Sequence, residues 1–309
     1  MRILVTGGAG FIGSHVVDAG IAAGHEVAVL DNLWPRGGGR RSNLDPKATL
    51  FELDIRDPIV ADVFMQFRPE VVSHHAAQHS VASSTRDPQH DADVNARGTL
   101  NILQSAVKAG VRKVIFASSA ATYGTPEYTP IDEPHRQRPE SPYGITKMAG
   151  EQYLRYFAAA HGLHHTIFRY GNVYGPRQDP NGEAGVIAIF CHRILHGEPI
   201  RIDWDGEQQK DYVYVGDVAR AGILALAAAD DDVFNLGSGA GTSVNALHRA
   251  IAEAIGRDVP VEKAPKREGD IRTCVFSIAK AEKALGWYPQ TDLRDGIAKT
   301  IEYFRALPL

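Results

Sequence analysis

The sequence predicts an α/β fold built around a doubly wound parallel sheet, with a smaller second domain. Uninterrupted apolar runs such as residues 2–6 and 27–30 are typical of short strands that are covered on both faces. These runs alternate with segments of helical periodicity such as residues 60–67, and the alternation favours parallel strands with helices on both sides of the sheet. We assign residues 1–173 to the first domain and residues 174–309 mainly to the second, with some later segments returning to the first.

A glycine-rich turn follows the first strand at once. Gly7, Gly10 and Gly13 satisfy G-x-x-G-x-x-G, and Gly8 completes G-x-G-x-x-G. Between a strand and a helix N-terminus, such a turn lets a pyrophosphate approach the backbone and meet free N–H groups. Asp31 ends the second strand and can accept hydrogen bonds from an adenosine ribose. The sequence therefore predicts a Rossmann-type dinucleotide site that favours NAD, because a carboxylate would repel the 2′-phosphate of NADP.

The composition narrows the class of protein further. The chain has 309 residues with a net charge of -4, and its pI is near 6.3, so it has no general electrostatic reason to bind nucleic acid or membrane surfaces. Cys191 and Cys274 are its only cysteines, in no metal-ligand spacing, which is typical of a reduced intracellular protein. Because the first strand opens the sequence and no apolar run could cross a bilayer, we expect a cytoplasmic protein without a signal peptide.

The next two strands extend the same edge of the sheet. Residues 49–53 predict a strand leading to Asp54, whose carboxylate could hold an adenine amino group, although a solvent-facing strand end fits the pattern equally well. Residues 70–74 predict a buried strand. The small side chains of Ala76 and Ala77 after it favour a wall that a cofactor approaches closely.

Three histidines near this strand could suggest a metal site. His75 and His79 could share a helix face beside His74, but no acidic third ligand is close in sequence. We therefore expect packing and hydrogen-bonding roles for them, and no metal.

A helix and a strand then lead to exposed hydroxyls. Asn95 is predicted to open a helix that ends at Gly110, as a glycine C-cap would end it. Residues 113–117 predict the fifth strand, and Ser118 and Ser119 stand at its carboxyl end, where open α/β sheets bind ligands.

The chemically richest pair is Tyr143 and Lys147. Ser141 is a predicted cap and Pro142 a predicted first helical residue, so a spacing of four puts phenol and ammonium on one helix face. Such a pair also arises by chance, and its weight comes from Ser119 and the upstream dinucleotide motif. We expect the ammonium and a positively charged nicotinamide to lower the pKa of the phenol below its reference value of about 10, so that it can act as a base.

The rest of the chain predicts the second domain. A strand begins at residue 165, and a polar segment, RQDPNGEAG, follows it. Predicted strands lie at 199–202, 211–215 and 233–236, and predicted helices at 244–255, 277–285 and 293–304.

Several motifs together carry a family resemblance. They are TGGAGFIGS at 6–14, DN at 31–32, SSAATYG at 118–124, YGITK at 143–147, RYGNVYGPRQDP at 169–180, DYVYVGDVARA at 211–221 and REGDIR at 267–272. This combination resembles the extended short-chain dehydrogenase/reductases and, within them, the UDP-glucose (UDP-galactose) 4-epimerases. The resemblance implies NAD-dependent 4-epimerisation of UDP-hexoses through a transient 4-keto sugar, with UDP-N-acetylhexosamines as further candidate substrates.

The resemblance also implies roles for individual residues. The catalytic residues would be Ser119, Tyr143 and Lys147, with Ser118 as a backing hydroxyl. Contacts to NAD are implied for Gly7, Gly10, Phe11, Ile12, Gly13, Asp31, Asn32, Asp54, Ile55, Ala76, Ala77, Asn95, Ser118, Tyr143, Lys147 and Tyr170. Contacts to the UDP-sugar are implied for Ser119, Ala120, Tyr143, Asn172, Arg177, Val186, Lys210, Arg267, Asp270 and Cys274. A homodimer formed through helices around 97–108 and 147–160 is also implied.

Departures from related enzymes refine this expectation. Ala120 and Ala121 stand where sugar-nucleotide 4,6-dehydratases carry an Asp-Glu pair and UDP-glucuronate decarboxylases a Glu. Lys210 replaces an Arg of many relatives and offers phosphate a point charge without a bidentate fork. Cys274 stands where epimerases restricted to plain hexoses carry a bulky Tyr. It could leave room for an N-acetyl group or could simply be a small buried side chain.

Two alternatives remain open from sequence. One is a UDP-glucuronate 4-epimerase or another NAD-dependent enzyme that modifies nucleotide sugars. The other is a non-catalytic NAD-binding regulator, against which the intact Ser119, Tyr143 and Lys147 argue, since a sensor needs only the glycine turn and Asp31.

Overall fold

The computed structural model of the chain describes residues 1–34, 37–181, 185–266 and 270–307. Its strands are β1 (Arg2–Thr6), β2 (Glu26–Asp31), β3 (Thr49–Glu52), β4 (Val71–His74), β5 (Lys113–Ser119), β6 (His164–Tyr170), β7 (Asn172–Tyr174), β8 (Ile200–Asp203), β9 (Gln209–Tyr214), β10 (Asp232–Leu236), β11 (Gly241–Ser243), β12 (Val261–Ala264) and β13 (Thr273–Cys274). Its helices are α1 (Phe11–Ala22), α2 (Val60–Phe67), α3 (Val81–Arg86), α4 (Pro88–Ala92), α5 (Gly98–Ala109), α6 (Pro142–His161), α7 (Val186–His196), α8 (Val215–Leu224), α9 (Val244–Ile255), α10 (Ala279–Leu285) and α11 (Leu293–Ala306).

A seven-stranded parallel sheet forms the centre of the molecule. Its strand order is β10-β6-β5-β4-β1-β2-β3. The register places Ile3 of β1 beside Val27 of β2 on one side and beside Val71 of β4 on the other. The predicted α/β fold class, with a doubly wound parallel sheet, is confirmed.

Helices bury both faces of this sheet. On one face α1 and α8 supply Val17 and Val218 to a core that includes Phe168 of β6. On the other face α2, α5 and α6 supply side chains such as Phe64 and Leu154. A fully buried side chain of this size stabilises the fold by roughly 1.5–3 kcal/mol. Covering on both faces explains why the strands read as continuous apolar runs.

Most of the later segments form a second, smaller unit. β9 pairs with β7 and β13 in parallel and with β11 antiparallel, and β8 pairs with β12. Side chains from α7, α9 and α11, such as Phe190, Leu247 and Ile301, share one core with these strands.

Two later segments contact the central sheet, and one of them extends it. β10 pairs with β6 in parallel at its edge. The fully buried Lys113 of β5 donates a hydrogen bond to the carbonyl of Ala225 at 2.7 Å and forms an ion pair with Asp230 at 2.7 Å. These contacts fix the segment between α8 and β10 against the start of β5.

The expectation that Asn95 opens a helix is wrong. Helical structure starts at Pro88, where Asp87 caps the helix by accepting the N–H of His90. It continues from α4 through a π-helical turn, Asp93–Arg97, into α5, which ends at Gly110 as expected. The capping Asp and the Pro at the first helical position explain the earlier start.

The expectation that His75 and His79 could share a helix face is also wrong, because both precede α3. Among the described residues, no group of three or more His, Cys, Asp or Glu side chains could hold a metal ion. None of the helices in the described ranges combines the length and the apolar composition that a membrane span requires.

Candidate active site

Loops at the carboxyl ends of β1, β2, β4, β5 and β6 surround a cavity of about 710 Å³. This is the edge at which open α/β sheets bind ligands. All the residues with implied NAD contacts line the cavity except Asn95. The implied substrate residues that line it are Ser119, Ala120, Tyr143, Asn172, Arg177, Lys210 and Cys274.

The remaining implied residues lie elsewhere. Asn95 is buried and bonds to Gln78, which itself lines the cavity. Val186 begins α7 and packs against the core of the second unit, and neither it nor Asp270 lines the cavity. Arg267 lies outside the described residues.

The glycine turn is packed too closely for larger residues. A Cβ on Gly13 would lie 2.2 Å from the carbonyl oxygen of Gly7. Gly7 has φ +67°, and a Cβ there would lie 2.6 Å from the backbone nitrogen of Ala76. The turn after β1 therefore touches the wall after β4 and exposes backbone where α1 begins. This cradle fits the pyrophosphate of a dinucleotide.

The two acidic residues of the adenosine end differ in their surroundings. Asp31 accepts the N–H groups of Ala9 and Leu33, and burial raises the pKa of its carboxyl. Asp54 forms an ion pair with Arg56 at 2.9 Å and accepts a hydrogen bond from Asn32. The hydrogen bond from Arg56 is the main cause that lowers the pKa of Asp54 to about 2. Both side chains still line the cavity.

The start of α6 positions Tyr143 and Lys147. Ser141 caps the helix by accepting the N–H of Gly144, and Pro142 follows it as predicted. Lys147 Nζ donates a hydrogen bond to the carbonyl of Ala117 at 2.8 Å and lies 5.8 Å from the centre of the Tyr143 ring. Strand β5 and helix α6 thus hold phenol and ammonium together at the cavity wall.

Without a bound nicotinamide, the protein's own groups do not lower the pKa of the phenol. Burial raises the pKa of Tyr143 to about 12, and a hydrogen bond with Ser119 only partly opposes this. Burial also lowers the pKa of Lys147 to about 8. The desolvation of both side chains therefore outweighs their proximity. The lowering of this pKa beside a positively charged nicotinamide stays a prediction.

The cavity is also lined by two further cationic side chains, Lys210 and Arg177. Lys210 Nζ donates to the carbonyl of Ile271 at 2.8 Å, and burial lowers the pKa of Lys210. Its backbone pairs with that of Cys274 between β9 and β13. Arg177 forms an ion pair with Asp18 of α1 at 2.7 Å. These side chains could hold the phosphates of an anionic ligand.

Comparison with known proteins decides the family. Residues 3–237 match the model of the NAD dependent epimerase/dehydratase family. The chain belongs to this family. Its cofactor is NAD, and the resemblance that the motifs carry is confirmed.

Individual members are similar over nearly the whole chain. The UDP-glucose 4-epimerase of Mycolicibacterium smegmatis is 45% identical over 312 residues, covering 99% of each chain. The structure of the Thermotoga maritima UDP-glucose 4-epimerase with UDP-glucose is 48% identical, with a TM-score of 0.96 over 99% of both chains. The structure of the Thermus thermophilus UDP-glucose 4-epimerase complex with NAD is 46% identical, with a TM-score of 0.94 over 99% of both chains.

This epimerase/dehydratase contains a buried ion pair that the sequence analysis missed. Glu151 of α6 is fully buried and bonds to Arg169 of β6 through two contacts of 2.6 and 2.9 Å. Ser118 donates to the same carboxylate at 2.6 Å, and Arg169 donates to the Tyr123 hydroxyl. The position of Glu151, one helical turn after Lys147, was the only available sequence signal.

A second missed feature is a ring contact in the cavity wall itself. The rings of His75 and Tyr170 are nearly parallel, with centroids 6.4 Å apart, and both residues line the cavity. Burial lowers the pKa of His75 to about 3, so this histidine is neutral at physiological pH.

Proposed function

We propose that this protein interconverts UDP-glucose and UDP-galactose by NAD-dependent 4-epimerisation and is therefore an isomerase. The strongest support is that Ser119, Tyr143 and Lys147 meet in the wall of the cavity that also contains the glycine turn and Asp31. One cavity can thus hold a dinucleotide and present a hydroxyl-bearing substrate to a phenol. The close relatives named UDP-glucose 4-epimerase support the same reaction.

The residues of the cavity fit NAD in one orientation. Gly7, Gly10 and Gly13 would hold the pyrophosphate at the start of α1, Asp31 the adenosine ribose, and Lys147 the nicotinamide ribose. Bound NAD would supply an acceptor for the hydride of the sugar C4 and, in its oxidised form, a positively charged nicotinamide ring beside Tyr143.

The protein's own groups move the proton. Tyr143 as phenolate accepts the proton of the sugar 4-OH, and Ser119 donates a hydrogen bond to the same oxygen. Lys147 stabilises the phenolate by its charge. The phenol returns the proton to the 4-oxygen after the transient 4-keto sugar has presented its other face. Lys147 is buried and Tyr143 is partly buried in the wall of the same cavity, so a bound cofactor and sugar would cover the pair during these steps.

For the UDP portion we propose Asn172, Arg177, Lys210 and Arg267 as binding residues. Cys274 is 8% exposed and borders the cavity beside Lys210. A side chain this small leaves space next to the sugar. We therefore include UDP-N-acetylglucosamine among the substrates.

The organisation of the protein completes the proposal. Residues 1–173 form the NAD-binding domain, to which α8 and β10 return, and residues 174–309 mainly bind the UDP-sugar. The protein acts in the cytoplasm as a homodimer formed through α5 and α6. The exposed Ile145 and Tyr156 of α6, at 51% and 61% exposure, support this surface.

The test is to incubate purified protein with UDP-galactose, UDP-glucose and their N-acetyl and uronate counterparts without added NAD. Chromatographic separation should show a mixture of UDP-glucose and UDP-galactose, whichever of the two is supplied. Conversion of the uronate alone would support the alternative of a UDP-glucuronate 4-epimerase. Bound NAD with no conversion of any substrate would support a regulator instead.

A further inference from the structure

A carboxylate without an assigned role lies beneath the Tyr143–Lys147 turn. Asp91 of α4 is fully buried. One of its oxygens, Oδ2, accepts a hydrogen bond from Thr146 Oγ1 at 2.7 Å. The other, Oδ1, accepts hydrogen bonds from Gln78 Nε2 at 2.7 Å and Asn95 Nδ2 at 3.0 Å. The contacts join α4 to α6 and to the loop after β4.

This network is attached to the catalytic turn. Thr146 directly precedes Lys147, and its hydroxyl also lies 3.1 Å from the carbonyl oxygen of Tyr143. The side-chain amide of Asn95 bonds to the hydroxyl of Thr146 as well, and to the backbone N–H and carbonyl of Gln78. Displacement of Asp91 would therefore release the first turn of α6 from its support.

The charge of Asp91 is not needed for these hydrogen bonds alone. All three donors are neutral groups, and burying a carboxylate among neutral groups is costly. The positive charge with which Asp91 interacts is that of Lys147. The charge of Asp91 raises the pKa of Lys147, although burial lowers this pKa more strongly. The same charge adds to the larger effect of burial in raising the pKa of Tyr143.

Other titratable groups around the pair differ from Asp91. They are His74 of β4 and His75 directly after it, Tyr170 of β6, Lys210 and Cys274 of the cavity wall, and Glu151 of α6. The two histidines are neutral at physiological pH because burial lowers their pKa to about 3. Arg169 neutralises Glu151 by direct contact. Among the groups that the structure describes here, Asp91 is thus the carboxylate whose charge acts on the pair without a contacting cation.

We propose that Asp91 is a positioning residue of the reaction: through Thr146 it fixes the first turn of α6, and its charge balances that of Lys147. This inference rests on the proposed epimerase function. It assigns two separable contributions, one of geometry and one of charge, to a residue that contacts neither substrate nor cofactor.

The experiment separates the two contributions. Asp91→Asn removes the charge and keeps the size, and Asp91→Ser is a second neutral variant in case the first does not fold. Thr146→Val removes the hydrogen bond and keeps the charge. Asp217→Asn is the control, because Asp217 is also buried and accepts the N–H groups of Gln290 and Thr291, but it lies 3.8 Å from Arg220 and is not among the charges that act on Tyr143 or Lys147.

Two readouts are measured as a function of pH. One is kcat for UDP-galactose. The other is the phenolate absorbance of Tyr143 in NAD-loaded protein, taken as the difference from the matching Tyr143→Phe protein. Losing a nearby negative charge lowers the pKa of both Tyr143 and Lys147, so the neutral variants should shift both profiles to lower pH by on the order of one unit. Thr146→Val should lower kcat without this shift, and Asp217→Asn should change stability only.

Profiles of both neutral variants that coincide with the wild type would overturn the proposal. A shift of the same size in Asp217→Asn would overturn it as well, because it would reflect general destabilisation. If the wild type converts no UDP-sugar, the proposed function fails on its own, and the phenolate titration still decides the role of Asp91.

Discussion

Replacing Glu151 with Gln should lower the free energy of unfolding by about 3–5 kcal/mol, the usual effect of leaving one partner of a buried ion pair uncompensated. The side chains of Glu151 and Arg169 are 0% and 2% exposed, so solvent cannot take over the lost interaction. The substitution also weakens the acceptor of the Ser118 hydroxyl.

The effect should depend on pH with a defined sign. Burial alone would raise the pKa of Glu151, but the hydrogen bonds and charge of Arg169 and the bond from Ser118 lower it below its ordinary value. A carboxyl with a lowered folded-state pKa stabilises the fold above its unfolded-state pKa of about 4.3. This stabilisation is lost as pH falls through the folded value. The difference between wild type and Glu151→Gln should therefore shrink below about pH 4.

Urea unfolding followed by circular dichroism at neutral and acidic pH measures both effects. The control is Glu52→Gln, because Glu52 pairs with Arg41 at the surface, with side chains 52% and 67% exposed. An exposed pair contributes about 0–1 kcal/mol. A loss below about 1 kcal/mol for Glu151→Gln at neutral pH, or a loss that grows on acidification, would refute the reasoning.

Three further predictions concern the cavity. Tyr143→Phe removes the proposed base and should lower kcat on the order of a hundred- to ten-thousandfold; product analysis showing near-wild-type turnover would remove Tyr143 from that role. Cys274→Tyr should reduce epimerisation of UDP-N-acetylglucosamine far more than that of UDP-glucose, because the added ring meets the N-acetyl group only. An equal loss of activity on both substrates would show that Cys274 does not discriminate between them. Gly13→Ala should lower the NAD content of purified protein by roughly tenfold or more, since its Cβ would lie 2.2 Å from the Gly7 oxygen. In Gly10→Ala the added Cβ would lie 3.3 Å from the same Gly7 oxygen, so this variant should retain more NAD than Gly13→Ala. Equal NAD content in both variants would contradict the packing argument.

Local signals made part of this molecule predictable. The strand at residues 2–6, the glycines after it and Asp31 follow one another within one βαβ unit. Ser141 and Pro142 likewise determine where α6 begins from their own chemistry. Signals of this kind depend on neighbours in sequence, so they can be detected without the fold.

Features that depend on distant segments were not predictable. The pKa of Tyr143 follows from how deeply the folded chain buries it, and the spacing to Lys147 contains no such information. Glu151 and Arg169 are separated by eighteen residues and meet only because α6 packs on β6. The start of helical structure at Pro88 is a different case, because its signal, the Asp87 cap, is local and was overlooked in favour of Asn95.

The edge position of β10 has a consequence for protein synthesis. The glycine turn leaves the ribosome more than two hundred residues before the seventh strand of its sheet, which is complete only at residue 236. Helix α8, which covers α1 and one face of the sheet, also comes late. The nascent chain therefore carries apolar side chains such as Val17 and Phe168 uncovered while the second unit is being made. A fragment that stops at residue 173 keeps this exposure permanently, which makes it a substrate for chaperones and prone to aggregate.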